Sequence, residues 1–424
     1  MLDINFIREN TDRVKDAVIK KRKTVDIDYL LTLDDKRKSL QFQIDEARSA
    51  QKKAGEARDM DLAKSLKDQI MSMDKDYNDC LEEYTRILKS VPNVFHEATP
   101  IGKDEDENVS VRQIGTIPSF DFSVLDHQDL GERLWLLDKE QAVKVTGARF
   151  FYLKWDLAML QYAIVQFTFS VLTNTSILAD IIKKKWLSVS AKPFEVVIPP
   201  LMIHYETAEK MGRLHPMEDR YCLDQDQFML VGSAEHSLGP IHMDQVLEEE
   251  TLPRRYVAYT PCFRREAGTY GKDTRGILRT HQFDKIEMET FTTKEMWYDE
   301  QELIIAIQEY LITQLGLAYE VMMICTGDMG AMDYRQVDMN TRIPSQGKYR
   351  ETHTSDYMTD YQARRLNIKV NKKNGDKEFV HMNDATAFAL GRIIIAIMEN
   401  NQNADGSINI PAVLQPYMGK TKIG

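Results

Sequence analysis

Residues 256–291, YVAYTPCFRREAGTYGKDTRGILRTHQFDKIEMETF, decide how the chain is read. The run 256–265 is rich in β-branched and aromatic residues and predicts a strand. A basic loop with Gly268, Gly271, Lys272, Arg275, Gly276 and Arg279 follows, and 280–291 predicts a second strand. Two strands around a glycine-bearing loop of about a dozen residues predict an antiparallel hairpin with a long, working loop. Successive strand residues point to opposite faces, so Phe283, Lys285, Glu287 and Glu289 share one face and Ile286 and Met288 the other. The apolar face belongs on a core. A ring, a cation and carboxylates together are costly to bury unless they find partners or a ligand. Arg264 and Glu266 share a face on the outgoing strand in the same way.

A solvated hairpin with self-paired charges has no use for Phe283 in their midst. A nucleoside triphosphate site uses every element: a ring for the base, guanidinium forks for phosphates, glycines for close backbone approach, and carboxylates for an amine.

The chain has 424 residues, room for two or three domains and a large core. Its formal net charge of -11 argues against general nucleic-acid coating, while leaving room for local basic patches. Cys80, Cys222, Cys262 and Cys325 lie far apart, a pattern of neither zinc ligands nor a disulfide framework. The start, MLDINFIREN, lacks a secretory layout, and no apolar run reaches membrane-spanning length. A cytoplasmic protein with no membrane partner is the expectation.

Residues 2–23 predict a short amphipathic helix ending in Lys20, Lys21, Arg22 and Lys23. Over 27–90 proline is absent and charges alternate in sign. Leu33, Arg37, Leu40, Ile44, Ala47 and Ala54 follow a seam of threes and fours, and Leu62, Leu66, Ile70, Met73, Tyr77, Cys80 or Leu81, Tyr84 and Leu88 form another. These seams predict an antiparallel two-helix coiled coil reversing over 55–61 and projecting roughly 40 Å. Lys52, Lys53, Arg58, Lys64 and Lys67 gather near its tip, a cationic cluster able to meet phosphates. Pro92 ends the second helix, and the acidic connector GKDEDEN (102–108) sets the boundary between domains 1–108 and 109–424. Beyond it, 148–153 reads as a strand, and Leu157, Leu160, Ile164, Phe167 and Val171 place an apolar stripe on a helix. In FEVVIPPLM, Pro199 and Pro200 close a strand over 195–198, which suits a sheet edge.

FRREAGTYGKDTRGILRTHQFDKIE resembles the second signature motif of class II aminoacyl-tRNA synthetases, in the form found in seryl-tRNA synthetases. FEVVIPPLM resembles the first motif and MNDATAFALGRIIIAIMEN (382–400) the third, and the helical arm has its counterpart in the family. The resemblance spans nearly the whole chain. It implies an α+β catalytic domain, an antiparallel sheet flanked by helices, preceded by an arm that grips tRNA(Ser). It also implies a homodimer, ATP and L-serine as substrates, Mg²⁺ with the ATP, and charging of tRNA(Sec) as well.

Residue roles follow from the resemblance. Arg264 contacts the α-phosphate and the substrate carboxylate, Glu266 meets the adenine side beside Arg265, and Phe283 stacks on the base. Arg392 covers the opposite face of the adenine and reaches the γ-phosphate. Arg264, Glu266 and Arg392 are the expected catalytic residues. In GKYRETHTSDYMTDYQARR (347–365), Glu351 and Thr354 match the metal-holding positions, with Thr352 and His353 between them on the ATP. Glu287 and Glu235 are the expected acceptors for serine's ammonium and hydroxyl, with Ser233, Ala234, Arg264 and Thr386 around the amino acid. The sequence departs from the family's usual pattern at Ser233, Thr354 and Thr386, each hydroxyl for hydroxyl. Asn340 and Arg342 stand where many members carry Glu and Trp, and 211–222 lacks a Gly-Thr-Gly run. Two other readings compete: a ligase loading a carrier protein, which needs no tRNA-gripping arm, and a silent RNA-binding paralogue, which needs no complete catalytic set.

Overall fold

The computed structural model describes residues 1–267 and 275–424. Gly268, Gly271 and Lys272 of the basic loop lie outside the described residues. The chain divides into two compact units, 1–95 with 330–332, and 96–329 with 333–424.

In the first unit the expected single helix at the start is two, α1 (Ile4–Glu9) and α2 (Thr11–Lys20). Asp3 caps α1 through the amides of Asn5 and Phe6. The arm is α3 (Ile27–Glu56) and α4 (Met60–Ser90). Asp26 and Asp59 cap their starts, and the reversal needs only 57–59, shorter than the expected 55–61. Thirty and thirty-one residues correspond to about 45 Å of helix. Ile44, Ala54, Ile70, Cys80, Tyr84 and Leu88 are buried along the seam. Arg37 belongs to it because its guanidinium lies 4.7 Å from the centre of the Tyr84 ring. Buried Asp34 is held by Arg8, Arg37 and Lys38 at 2.6–2.7 Å. Burial opposes its charge, yet these three cations keep its pKa below the ordinary value. Toward the tip, Lys52, Lys53, Arg58, Lys64 and Lys67 are all exposed.

The second unit is built on an eight-stranded sheet. Its strands are β1 (Val109–Ile114), β2 (Glu195–Val196), β3 (Arg254–Phe263), β4 (Gln282–Thr292), β5 (Tyr319–Met323), β6 (Arg335–Ile343), β7 (Lys348–Tyr357) and β8 (His381–Ala389). They lie in the order β1-β5-β6-β7-β8-β4-β3-β2, antiparallel except for the β2–β3 edge pair. The expected hairpin is β3–β4, and its apolar residues Ile286 and Met288 join the main core. Helices α5 (Trp155–Leu172), α6 (Trp297–Gln314) and α7 (Leu390–Asn400) supply much of that core through Leu157, Leu160, Ile304, Ile307, Ile394 and Ile397. Covering one sheet face with helices leaves the face of Lys285 and Glu287 for other use.

Three boundaries differ from expectation. The 148–153 strand shrinks to Tyr152–Leu153, and the 195–198 strand to the two residues of β2, at the sheet edge as proline requires. The acidic connector is not a free linker. Thr326 donates its amide to Pro100, and Asn108 bonds both Asp328 and the amide of Cys325, so 96–108 packs with the second unit. The four cysteines are free, and no single described helix is long and apolar enough to cross a membrane.

At the base of the hairpin, Arg255 and Glu300 are both fully buried and pair bidentately through Nε and Nη2, with Arg255 Nη2 at 2.8 Å from Glu300 Oε2. Arg255 also donates to the carbonyls of Ser190 and Lys192. Removing one partner strands a buried charge. Arg255→Met is expected to destabilise the protein by about 3–5 kcal/mol in urea denaturation, and a loss below about 1 kcal/mol would contradict that role.

Candidate active site

A cavity of about 210 Å³ opens on the sheet face opposite the helical core. Phe283, Lys285 and Glu287 of β4 form one wall. Glu351, Thr354 and Asp356 of β7, with Asp384 and Thr386 of β8, form the floor and the other wall. Arg264 and Glu266 enter just past the end of β3, and Arg392 from the first turn of α7.

Two β-bulges set this lining. Between β6 and β7 the register passes from Met339↔His353 to Asn340↔Glu351, leaving Thr352 without an opposite residue. The extra residue brings Glu351 and Thr354, three apart, to one cavity, although strict alternation would send them to opposite faces. Thr352 is the residue displaced. Its hydroxyl is 2.7 Å from that of Thr341 and 2.8 Å from His353 Nδ1, and all three side chains are buried. The expected side-chain contacts of Thr352 and His353 with ATP are therefore corrected, because both side chains are buried and stand outside the cavity lining. Burial pushes the His353 imidazole down to about 3, so it stays neutral there. Between β4 and β8 a second slip, from Ile286↔Phe388 to Glu287↔Thr386, makes Ala387 the extra residue.

Around the rim, the Arg264 guanidinium lies 5.3 Å from the centre of the Phe283 ring, and its Nε donates to the Gly232 carbonyl at 3.1 Å. Glu266, at φ +53°, pairs with Arg279 at 2.6 Å. Arg392 reaches Glu351 at 3.0 Å. The segment after the hairpin loop is pinned by Gly276, at φ +69°, where a Cβ would fall 1.7 Å from His127 Nε2. His127 accepts from the Ile277 amide and bonds Glu399, so Ile277, Leu278 and Arg279 are set against the cavity.

Below the rim, Lys285 pairs with Glu287 at 2.7 Å and Arg213 with Glu235 at 2.7 Å. The Thr354 and Thr386 hydroxyls are 3.2 Å apart. Burial opposes ionisation of Glu235, but Arg213 beside it holds its pKa below the ordinary carboxylate value. Burial raises Glu287, and Lys285 only partly offsets that. Burial also raises Glu289, Asp356 and Asp384 well above the carboxylate range, and neighbouring carboxylates add to the effect.

Of the residues expected from sequence, Arg264, Glu266, Phe283, Glu351, Thr354, Arg392, Ser233, Glu235, Glu287 and Thr386 line this one cavity. Arg265 does not. Its Nε donates to the Arg220 carbonyl at 2.7 Å and its guanidinium lies over Tyr221, so it is turned to the 211–222 segment instead. Ala234 is fully buried and does not line this cavity either. The departures Asn340 and Arg342 are also outside the lining, Asn340 bonding Glu320 at 3.2 Å. Sequence reasoning missed Arg213, Asp356 and Asp384. Asp384 and Thr386 alternate along β8, a visible signal, whereas Arg213 sits in a loop without periodicity.

Among the described residues no three His, Cys, Asp or Glu side chains form a ready metal cluster. Mg²⁺ commonly takes one or two protein carboxylates and completes its shell with phosphates and water, and Glu351 with Thr354 fits so sparse a set. A ring beside one guanidinium, a second guanidinium opposite and carboxylates below suit a nucleotide lying over a small ammonium-bearing ligand.

Residues 1–95 match the model of the seryl-tRNA synthetase N-terminal domain, and 218–401 that of the class II tRNA synthetase core domain (G, H, P, S and T). The chain is 37% identical to the serine–tRNA ligase of Petrotoga mobilis over 440 residues, covering 100% of both. It is 34% identical to that of Thermodesulfovibrio yellowstonii, covering 99% of both. The chain belongs to the seryl-tRNA synthetase family. As in that family, a class II ligase core follows a helical arm. The Pyrococcus horikoshii seryl-tRNA synthetase complexed with ATP superposes with a TM-score of 0.88 at 32% identity, covering 100% of this chain and 99% of that one. The cytoplasmic serine–tRNA ligase of Naegleria fowleri in complex with AMP gives 0.86 at 27%, covering 100% and 98%.

The buried acids make a pH prediction. Glu289 has no exposed surface, and neither of its oxygens has a hydrogen-bond partner among the described residues. Its folded pKa is raised, so the stability it contributes is present below its ordinary value of 4.5 and is lost as pH rises toward the folded value. Glu289→Gln, which mimics the protonated acid, should raise Tm at pH 8. Its advantage should shrink by about 1.4 kcal/mol per pH unit within that window and vanish near pH 4. A pH-independent difference would contradict the assignment.

Proposed function

We propose that this chain is a serine–tRNA ligase that activates L-serine with ATP and passes the seryl group to tRNA(Ser), and also to tRNA(Sec). The observation that carries the reading is the convergence of Arg264, Phe283, Glu351 and Arg392, scattered over more than a hundred positions, on one cavity.

A serine carboxylate oxygen forms a bond to the α-phosphorus as the bond to pyrophosphate breaks, leaving seryl-adenylate. The carboxylate is already ionised near neutral pH, so no general base is needed, and placement with charge stabilisation carries the step. Arg264 holds the α-phosphate and the serine carboxylate together in its planar fork. Phe283 and Arg392 sandwich the adenine, Arg392 extending to the γ-phosphate, while Glu266 accepts from the base. Mg²⁺, when bound, supplies neutralisation of phosphate charge, and Glu351 and Thr354 would hold it. Glu287 and Glu235 receive the ammonium and hydroxyl, flanked by Ser233 and Thr386. A hydroxyl of the tRNA terminal adenosine then attacks the seryl carbonyl, AMP leaves, and the ester forms.

The arm's exposed tip cations meet the tRNA backbone. The chain works in the cytoplasm and as a homodimer, the dimer being supported by the edge strand β2 with Ile198 beside it, 94% exposed.

Two experiments test this. Serine-dependent exchange of labelled pyrophosphate into ATP is expected, with Arg264→Ala lowering kcat by about 10²–10³-fold. Absence of serine-dependent exchange would refute the activation step. Replacing Lys52, Lys53, Arg58, Lys64 and Lys67 by alanine should weaken tRNA charging about tenfold or more and flatten its salt dependence while sparing exchange. Unchanged charging would remove the arm's assigned role.

A further inference from the structure

The cavity floor carries more carboxyl groups than it has cations to pair with them. Four carboxylates line it, Glu235, Glu287, Asp356 and Asp384, against two cations, Arg213 and Lys285. Those two are committed to Glu235 and Glu287 at 2.7 Å each. Asp356 and Asp384 are left over.

Their placement is unusual. Glu289 of β4, Asp384 of β8 and Asp356 of β7 stand opposite one another in one row across three adjacent strands. Like charges directly opposite in a sheet are destabilising, so such a row holds its protons until a cation arrives to offset the charge. Oδ1 of Asp384, Oδ1 of Asp356 and both oxygens of Glu289 are buried without a hydrogen-bond partner among the described residues. Asp384 is only 4% exposed and lines the cavity, two residues along β8 from Thr386, whose hydroxyl faces Thr354. An unpaired carboxylate thus borders the space where an amino-acid side chain would lie. A serine hydroxyl can donate a single hydrogen bond there and brings no charge, whereas a side-chain ammonium donates three and neutralises.

We propose that the cavity accepts a short diamino acid, 2,3-diaminopropionate being the one of serine's length, with its side-chain ammonium held by Asp384 and Asp356. This rests on the adenylating role proposed above. The bond changes are those of serine activation: carboxylate oxygen to α-phosphorus formed, the bond to pyrophosphate broken. The side-chain ammonium keeps its protons and takes no part. Asp384 is a specificity residue in this scheme.

The test is pyrophosphate exchange by the full-length protein with L-serine, L-2,3-diaminopropionate and L-2-aminobutyrate, which matches them in size but offers no polar group. Diaminopropionate is expected to support exchange with kcat/KM within about tenfold of the serine value or above it, and aminobutyrate to fall about 100-fold or more below. Asp384→Asn should lower the diaminopropionate-to-serine ratio of kcat/KM by about tenfold or more. Exchange with serine but not with diaminopropionate overturns this inference and leaves the proposed function standing. Exchange with none of the three overturns both. An equal loss for both substrates in Asp384→Asn assigns Asp384 a structural role and overturns it too. Should that variant not fold, the wild-type panel decides alone, together with a thermal shift produced by diaminopropionate and absent with aminobutyrate.

Discussion

The burial of charge on one face of a β-sheet is the constraint on which the catalytic unit depends. Carboxylates and guanidiniums taken from water must find an opposite charge, a hydrogen bond or a ligand. The molecule answers this differently at different depths. At the base of the hairpin, Arg255 and Glu300 satisfy each other in full, with two backbone carbonyls completing the guanidinium. At the cavity floor, Lys285 and Arg213 each answer one glutamate, while Oδ1 of Asp356 and of Asp384 has no hydrogen-bond partner among the described residues. Around the rim the balance turns the other way, with Arg264, Arg279 and Arg392 against Glu266 and Glu351. A ligand that is anionic at one end and cationic at the other matches that gradient, as a triphosphate above an amino acid does.

The sheet could not present this set with regular strands alone. One extra residue, Thr352, turns a strict alternation into a pair, Glu351 and Thr354, facing the same space. Bulges near active sites commonly re-aim side chains in this way. The glycine at 276 solves a different problem, since only a residue without a side chain can pass so close to the His127 ring in a left-handed backbone.

Much of this was legible in the sequence where periodicity operates. Phe283, Lys285 and Glu287 alternate with Ile286 and Met288, and the structure splits them between cavity and core. The arm's seam was readable for the same reason, down to Arg37, which stays in register by lying against Tyr84. Legibility failed where local pattern stops fixing direction. Thr352 and His353 lie within a motif whose bulge cannot be seen from alternation, and their side chains turn inward. Arg265 follows Arg264, but one step along an extended backbone reverses its direction. The row of Glu289, Asp384 and Asp356 exists only through the pairing of three strands separated by up to 95 positions in sequence, information that no short motif holds.

The central claim is that these scattered residues form one adenylate-binding constellation. Calorimetric titration with a non-hydrolysable seryl-adenylate analogue tests it most directly, on the intact chain and on the single variants Arg264→Ala, Phe283→Ala and Arg392→Ala. One site per chain is predicted, with affinity falling by about tenfold or more in each variant, since each removes a charge-assisted or stacking contact worth about 1.4 kcal/mol or more. No binding by the intact chain, or binding indifferent to all three substitutions, would contradict the account.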